Sequence, residues 1–273
     1  MRDLEPTTVP AEAVDSRRRF AGVARLYGEL ALQNFAEANL CVVGIGGVGS
    51  WVVEALARSA VGKITLIDLD MVAESNVNRQ IHALSGEFGK AKVSVMAERI
   101  LAINPDCAVS IVEDFLTPEN LDEHLNQGFD YVVDAIDQVR TKAALIAWCR
   151  QRKTPVLSVG AAGGQTDPSR IAVKDLAHTI QDPLLAKVRA LLRKQYGLTR
   201  DTKKKFNVPA IFSTEPVRQP QASTHCQTTE LRSGLNCAGF GSSVCVTASF
   251  GLFAAAAVLE HLSRRVPETL GKR

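Results

Sequence analysis

The sequence predicts an α/β fold: a mostly parallel sheet with helices on both faces, lengthened towards the C-terminus by further strands and a buried helix. Three observations carry this expectation. Short apolar runs alternate with helix-period segments between residues 40 and 159. A glycine cluster, GIGGVG at 44–49, separates the first apolar run from the helix-period segment that follows it. An uncharged segment, LNCAGFGSSVCVTASFGLFAAAAVL at 235–259, follows near the end of the chain.

The elements follow in order. Residues 1–16 read as a loose leader. From 17 to 37, Phe20, Val23, Leu26, Leu30 and Phe35 recur at helical spacings, so one or two short helices precede the first strand. Strands are expected at 40–43, 63–68 (KITLID), 108–112, 131–135 (YVVDA) and 156–159. Helices are expected between them at 48–59, 92–103, 120–125 and 141–152. Strands and helices alternating in this way imply parallel pairing, with the strand C-termini along one edge where ligands bind. GAAGGQ, from Gly160, is a turn, and 170–175 is a candidate strand. Residues 182–205 read as helical and strongly basic, with eight Lys and Arg against Asp182 and Asp201. Residues 209–221 are irregular but include AIFSTE, a candidate strand, and 222–234 reads as an exposed polar loop. Within the uncharged segment, 244–259 is short for a membrane span and reads as a helix buried all round, so no stable membrane insertion is expected.

Composition narrows the function classes. With 273 residues and 46% hydrophobic content, a sizeable core is available. Thirty-two basic against 29 acidic residues leave +3, so any nucleic-acid site must be a local feature. Cys41, Cys107, Cys149, Cys226, Cys237 and Cys245 lie far apart with no CxxC pair, which speaks against a zinc knuckle and a disulfide framework. The opening MRDLEPTTVPAEAVDSRRRF lacks the apolar core of a secretory signal, so a cytoplasmic, reducing location is expected.

The glycine cluster carries the first chemistry. Gly44 and Gly46 allow a tight turn and close approach of the backbone to a phosphate, and Gly49 lets the helix pack near the strand. Free N–H groups at the helix start meet the anion. Asp68 stands 19 residues beyond Gly49, where an acid bonds ribose hydroxyls. This Rossmann-like pattern alone says only that a nucleotide binds, and taken alone it favours NAD.

The segment DLDMVAESNVNRQ turns the reading towards ATP. It adds Asp70, Asn76, Asn78, Arg79 and Gln80, for which hydride transfer has no evident use. An enzyme that cuts ATP between its α- and β-phosphates does: Arg79 clamps phosphate with a planar fork, and Lys92 adds a point charge. VVDAIDQVRTK places Asp134 and Asp137 around the end of another strand. Asp70 and Asp137 are then the candidate ligands of Mg²⁺ against the triphosphate. Plainer readings exist, Arg79 as a surface charge and Asp137 as a helix cap, but their convergence on one sheet edge favours the site.

Together GIGGVGS, DLD, SNVNRQ, GKAK and DAID resemble the adenylating domain of the ubiquitin-activating-enzyme superfamily, over about residues 19–160. RFAGVARLYG, NRQIHAL, AERI, TIQDP at 179–183 and FSTE extend the resemblance over nearly the whole chain to one branch. That branch dehydrates threonylcarbamoyl-modified adenosine in tRNA. The resemblance implies one domain over 1–273, with 17–160 binding ATP and 161–273 serving substrate and dimer contacts. It implies that Gly44, Gly46, Gly47 and Gly49 form the ATP loop and that Asp68 holds ribose. Asn76 and Arg79 face the phosphates, Lys92 stabilises the α-phosphate and leaving pyrophosphate, and Asp137 binds Mg²⁺ with Asp70 nearby. Arg25, in preference to Arg19, matches an arginine that reaches across a homodimer to the partner's ATP. Gln138 stands where the superfamily usually has Asn.

The implied reaction is adenylation of the threonyl carboxylate, followed by ring closure on the modification's own ureido group with loss of AMP. A tethered nucleophile needs no protein thioester. Lys187, Arg189, Arg193, Lys194, Arg200, Lys203, Lys204 and Lys205, extended by Arg17 and Arg18, are the candidate grip on tRNA phosphates. The alternative is an activator or partner of a sulfur-carrier protein, adenylating its C-terminus. Cys226, in STHCQTTE, is the candidate acceptor, although an incidental loop cysteine is the favoured reading because no activating cation stands nearby. A cysteine desulfurase or sulfur-acceptor system is a candidate partner. Cys237 and Cys245, in or beside the apolar helix, are expected to be buried and inert.

Overall fold

A computed structural model describes residues 15–218 and 240–265. Two helices, α1 (Ser16–Tyr27) and α2 (Glu29–Glu37), are separated at Gly28, whose φ of 91° suits glycine. The chain then alternates through β1 (Asn39–Val43), α3 (Gly49–Ala57), β2 (Lys63–Ile67), α4 (Lys92–Ile103) and β3 (Ala108–Val112). It continues through α5 (Leu121–Leu125), β4 (Tyr131–Asp134), α6 (Val139–Gln151) and β5 (Val156–Val159). The strand β6 (Ile171–Asp175), helix α7 (Pro183–Gln195), strand β7 (Pro209–Ser213) and helix α8 (Val244–Ser263) follow.

The seven strands form one sheet in the order β3-β2-β1-β4-β5-β7-β6. Every neighbouring pair is parallel except β6 and β7. The expected α/β class, mostly parallel sheet and added C-terminal strands are therefore all present. Leu40, Val42, Ile64, Leu66, Val133 and Leu157 join the core under α2, α3, α4 and α8. Cys41, Val43, Ile67, Val132, Val156 and Phe212 join the other, under α5, α6 and α7. Successive strand residues point to opposite faces, so strands covered on both sides must be apolar throughout. Register fixes the functional edge: Val43 pairs with Ile67 on one side and Asp134 on the other. The loops after β1, β2 and β4 thus leave the sheet level with one another.

Three expectations change. The basic helix α7 stops at Gln195 rather than 205, because Tyr196 leaves helical geometry and Gly197 takes a left-handed φ of 67°. Helix α8 is covered on one side, not all round: Val246, Phe250, Ala254, Val258 and Leu262 are buried, while Leu252 and Phe253 are 49% and 41% exposed. By length and composition alone it is the single described helix able to cross a membrane, yet it packs against α3 and α2. Cys245 is exposed: in the first turn of α8 it lies on the open side, while its neighbours Val246 and Thr247 are buried. Cys226, Cys237 and the expected loop at 222–234 lie outside the described residues.

Candidate active site

A cleft of about 870 Å³ opens at the carboxyl ends of the parallel strands, across the switch between β1 and β4. Its floor is the glycine loop. Gly44 has φ 88°, and a Cβ there would come within 3.0 Å of the Ala135 carbonyl group. At Gly49 a Cβ would lie 1.8 Å from the Gly44 carbonyl oxygen, so glycine is required for helix and strand to approach. A Cβ at Gly46 would meet nothing within 4 Å, which leaves that part of the loop open to the cleft.

Asp68 reaches back to this loop. Its Oδ2 accepts from Ile45 N at 2.6 Å, and its Oδ1 accepts from Asp70 N at 2.8 Å. Burial raises its pKa, with nearby Lys92 opposing the shift. The carboxylate thus ties the β1 and β2 loops together at the expected ribose position.

Asn76 is buried, and its Oδ1 accepts from Ala73 N at 3.1 Å. Its carbonyl accepts from Arg79 N and Gln80 N at 3.0 and 2.9 Å. Asn76 therefore lines the cleft while its side-chain oxygen closes the turn that presents Arg79. Arg79 lies across Gly47, where a Cβ would be 3.1 Å from Arg79 Cγ. Its Nη1 donates to Ser75 O at 2.7 Å and to Asn78 Oδ1 at 3.0 Å. Trp51 Nε1 donates to Arg79 O at 2.9 Å, so α3 holds this loop against the glycine turn.

Lys92 is the first residue of α4 and is buried. Its Nζ lies 2.7 Å from Asp70 Oδ2, and its backbone N donates to Asp70 O at 3.0 Å. The structure thus joins Asp70 to Lys92, whose charge it steers, whereas Asp137 stands on the cleft without a hydrogen-bond or ion-pair partner among the described residues. Among the described residues no cluster of three His, Cys, Asp or Glu side chains could hold a metal by itself. A half-buried, partnerless carboxylate lining the same cleft as the glycine loop suits Mg²⁺, which characteristically takes one or two carboxylates and completes its shell with phosphate oxygens and water. Gln138 precedes α6 at its N-cap position, without a side-chain capping bond, and lines the same cleft.

Other predicted residues lie elsewhere. Arg25 is exposed in the last turn of α1 and does not line the cleft. Arg19 donates to Ala102 O and Ile103 O at 3.2 and 2.8 Å, docking α1 on the end of α4. Arg189 is half-buried and bonded to Thr179, and Arg193 donates to Thr199 O at 3.2 Å with its guanidinium 5.4 Å from the Phe206 ring. Lys187, Lys194, Arg200, Lys203, Lys204 and Lys205 remain exposed.

Sequence reading missed the frame behind the cleft. Buried Glu54 on α3 is bonded by Arg99 Nε of α4 at 2.5 Å and by Arg58 Nε at 2.7 Å, locking together the two helices that carry the glycine loop and Lys92. It also missed Lys142, wholly buried beside Asp134. A lone lysine at the start of the apolar stretch AALIAWC was the available signal.

Comparisons with known proteins bear on the whole chain rather than on single residues. The ThiF family model matches residues 18–272. The tRNA threonylcarbamoyladenosine dehydratase of Haemophilus influenzae is 51% identical, over 94% of this chain and 98% of its own. That of Escherichia coli is 54% identical, over 90% and 94%. The crystal structure of the E. coli enzyme, TcdA, in complex with ATP has a TM-score of 0.82 at 50% identity, covering 92% of this chain and 97% of that one. E. coli MccB, at 18% identity and TM-score 0.61, shares the fold.

Proposed function

The chain belongs to the ThiF family, and within that family we propose that it is an ATP-dependent tRNA threonylcarbamoyladenosine dehydratase acting in the cytoplasm. The observation that carries this reading is the 51% identity to such a dehydratase across 94% of the chain. The cleft supports the chemistry, and the crystal structures of the E. coli relative with ATP and with AMP accord with it.

A carboxylate resists substitution because oxide is a poor leaving group. In this reading the threonyl carboxylate oxygen attacks the α-phosphate of ATP, the bond to pyrophosphate breaks, and an acyl-adenylate forms. The modification's own ureido group then attacks the acyl carbon, loses a proton, and expels AMP. The carboxylate oxygen departs on AMP, so the nucleoside loses one water. The glycine loop and the start of α3 hold the phosphates. Arg79 and Lys92 neutralise charge that grows on the leaving pyrophosphate, and Asp70 keeps the Lys92 ammonium in place. Asp137 would hold Mg²⁺, which when bound supplies charge neutralisation across the phosphates. Catalysis is then positioning and electrostatics rather than covalent chemistry. Arg25 acts from the partner of a homodimer, and the exposed lysines of 187–205 meet tRNA phosphates.

Mass spectrometry of nucleosides from threonylcarbamoyl-modified tRNA tests this. Incubation with the protein and ATP should lower the nucleoside mass by one water and release AMP and pyrophosphate; an unchanged mass rejects the substrate. Asp137→Ala and Arg79→Ala should each melt within a few degrees of the wild type while pyrophosphate release falls at least ~100-fold, the scale of lost transition-state electrostatics. Full activity in either removes that residue from the role given to it.

A further inference from the structure

The turn that presents Asp137 is wrapped around a buried ammonium group. Lys142, near the start of α6, and Asp134, at the end of β4, are both 0% exposed. Lys142 Nζ donates to Asp134 Oδ1 at 2.9 Å, to Asp134 O at 3.2 Å and to Ile136 O at 2.9 Å. An ammonium has three N–H donors, and three oxygens receive them. The other carboxylate oxygen of Asp134 accepts from Ser158 Oγ at 2.9 Å. All three lysine contacts therefore fall on the residues immediately before Asp137.

The same turn presses on the phosphate loop. Ala135 N donates to Val43 O at 2.9 Å, and the missing Cβ of Gly44 leaves just enough room for the Ala135 carbonyl. One buried cation thus holds a turn that touches the glycine loop on one side and leads into the cleft carboxylate on the other. Stability is a poor explanation for it. Taking both charges out of water offsets most of their attraction, and an uncharged pair of similar size commonly serves as well. What three directed bonds supply is a fixed geometry.

We propose that Lys142 is a positioning residue of the adenylation site, setting where Asp137 stands relative to the phosphate loop. This rests on the reading of Asp137 as the carboxylate that holds Mg²⁺.

Calorimetry of ATP binding, with Mg²⁺ and with a chelator, tests the proposal on the full chain. The variants are Lys142→Met/Asp134→Asn, which removes both charges at nearly constant volume, and Lys142→Arg. Asp137→Ala marks complete loss of the metal's contribution. The double variant should melt close to the wild type, and its Mg²⁺ gain is taken relative to its own metal-free ATP affinity. The gain in affinity that Mg²⁺ confers should fall by about tenfold, as for other groups that orient a metal ligand. Lys142→Arg keeps the buried charge, but its flat fork cannot spread three N–H groups over the same oxygens, so a smaller fall is expected. A folded double variant with the full Mg²⁺ gain overturns the proposal; should that variant not fold, a wild-type gain in Lys142→Arg overturns it instead. A wild type whose ATP affinity ignores Mg²⁺ overturns the metal reading of Asp137 and this inference with it. A wild-type gain that survives in the variants sinks the role of Lys142 alone.

Discussion

His82 is 1% exposed, and neither of its ring nitrogens has a hydrogen-bond partner among the described residues. Burial pushes its pKa down from 6.5 to about 4, and the charges of Lys92 and Arg99 add to the shift. In the unfolded chain the imidazole returns to its ordinary value. Between those two pKa values the unfolded chain binds a proton that the folded chain refuses, so stability falls as pH falls from about 6.5 towards about 4. The full loss is on the order of 3 kcal/mol. His82→Leu removes this titration and two unpaired buried nitrogens, so its melting temperature should decline less than the wild type's across that window. Melting curves against pH check it, and an unchanged acid slope in the variant would show that His82 is not the group responsible. The sequence makes the pieces of the site legible at this scale but not their partners. Gly44, Asp68, Arg79, Lys92 and Asp137 are readable because each is a chemical type at a characteristic spacing. The bond from Arg99 to Glu54 spans 45 positions, and no local pattern announces such a pair.

Helices α3 and α8 meet at Gly251, where a Cβ would stand 2.6 Å from Trp51 Cβ and 2.7 Å from Val48 O. Those two residues flank the start of the helix that carries the phosphate loop. Gly251→Ala must push the helices apart, at a cost of about 1–3 kcal/mol, and should weaken ATP binding as well. Gly22→Ala is the control: a Cβ there meets nothing within 4 Å, so neither property should worsen. Thermal melting and ATP calorimetry of the two variants separate the outcomes, and equal behaviour would mean that the contact is not tight. Helix α7 makes a different case. Its apolar spacing runs through Leu184, Leu185, Val188 and Leu192, and the charges continue past its end, so only Gly197 marks where it stops. Lys203, Lys204 and Lys205 consequently sit beyond the helix, exposed. Replacing all three with Glu should weaken tRNA binding and flatten its dependence on salt, because each lysine on a phosphate releases a counterion. Filter binding at several salt concentrations measures the slope; an unchanged slope would assign these lysines to solvent.

The whole molecule places its candidate catalytic groups unevenly. The cleft gathers the glycine loop, Asp68, Arg79, Lys92 and Asp137 on one sheet edge. Strand alternation made that edge legible, since parallel strands put their carboxyl ends together. The insertion of β7 between β5 and β6 was not legible, because a short apolar run does not specify its neighbours. Arg25 remains outside, on α1, beside Leu26 at 77% exposure, with Leu30 at 45% on α2. On α8, Leu252 and Phe253 are also left open to solvent. In the proposed homodimer a second copy would carry Arg25 to a cleft it does not reach in its own chain. Under that arrangement each cleft needs Asp137 from one protomer and Arg25 from the other. Arg25→Ala and Asp137→Ala should each be inactive as pure proteins. In mixed dimers one of the two clefts carries both substitutions, while the other has native Asp137 and receives native Arg25. Mixing the two inactive variants and allowing subunits to exchange should therefore restore activity, to at most about half the wild-type value per mixed dimer. Tagged subunits isolated by tandem affinity steps verify that the dimers are mixed. Activity that stays absent in those dimers places Arg25 in its own protomer's site or outside the reaction altogether.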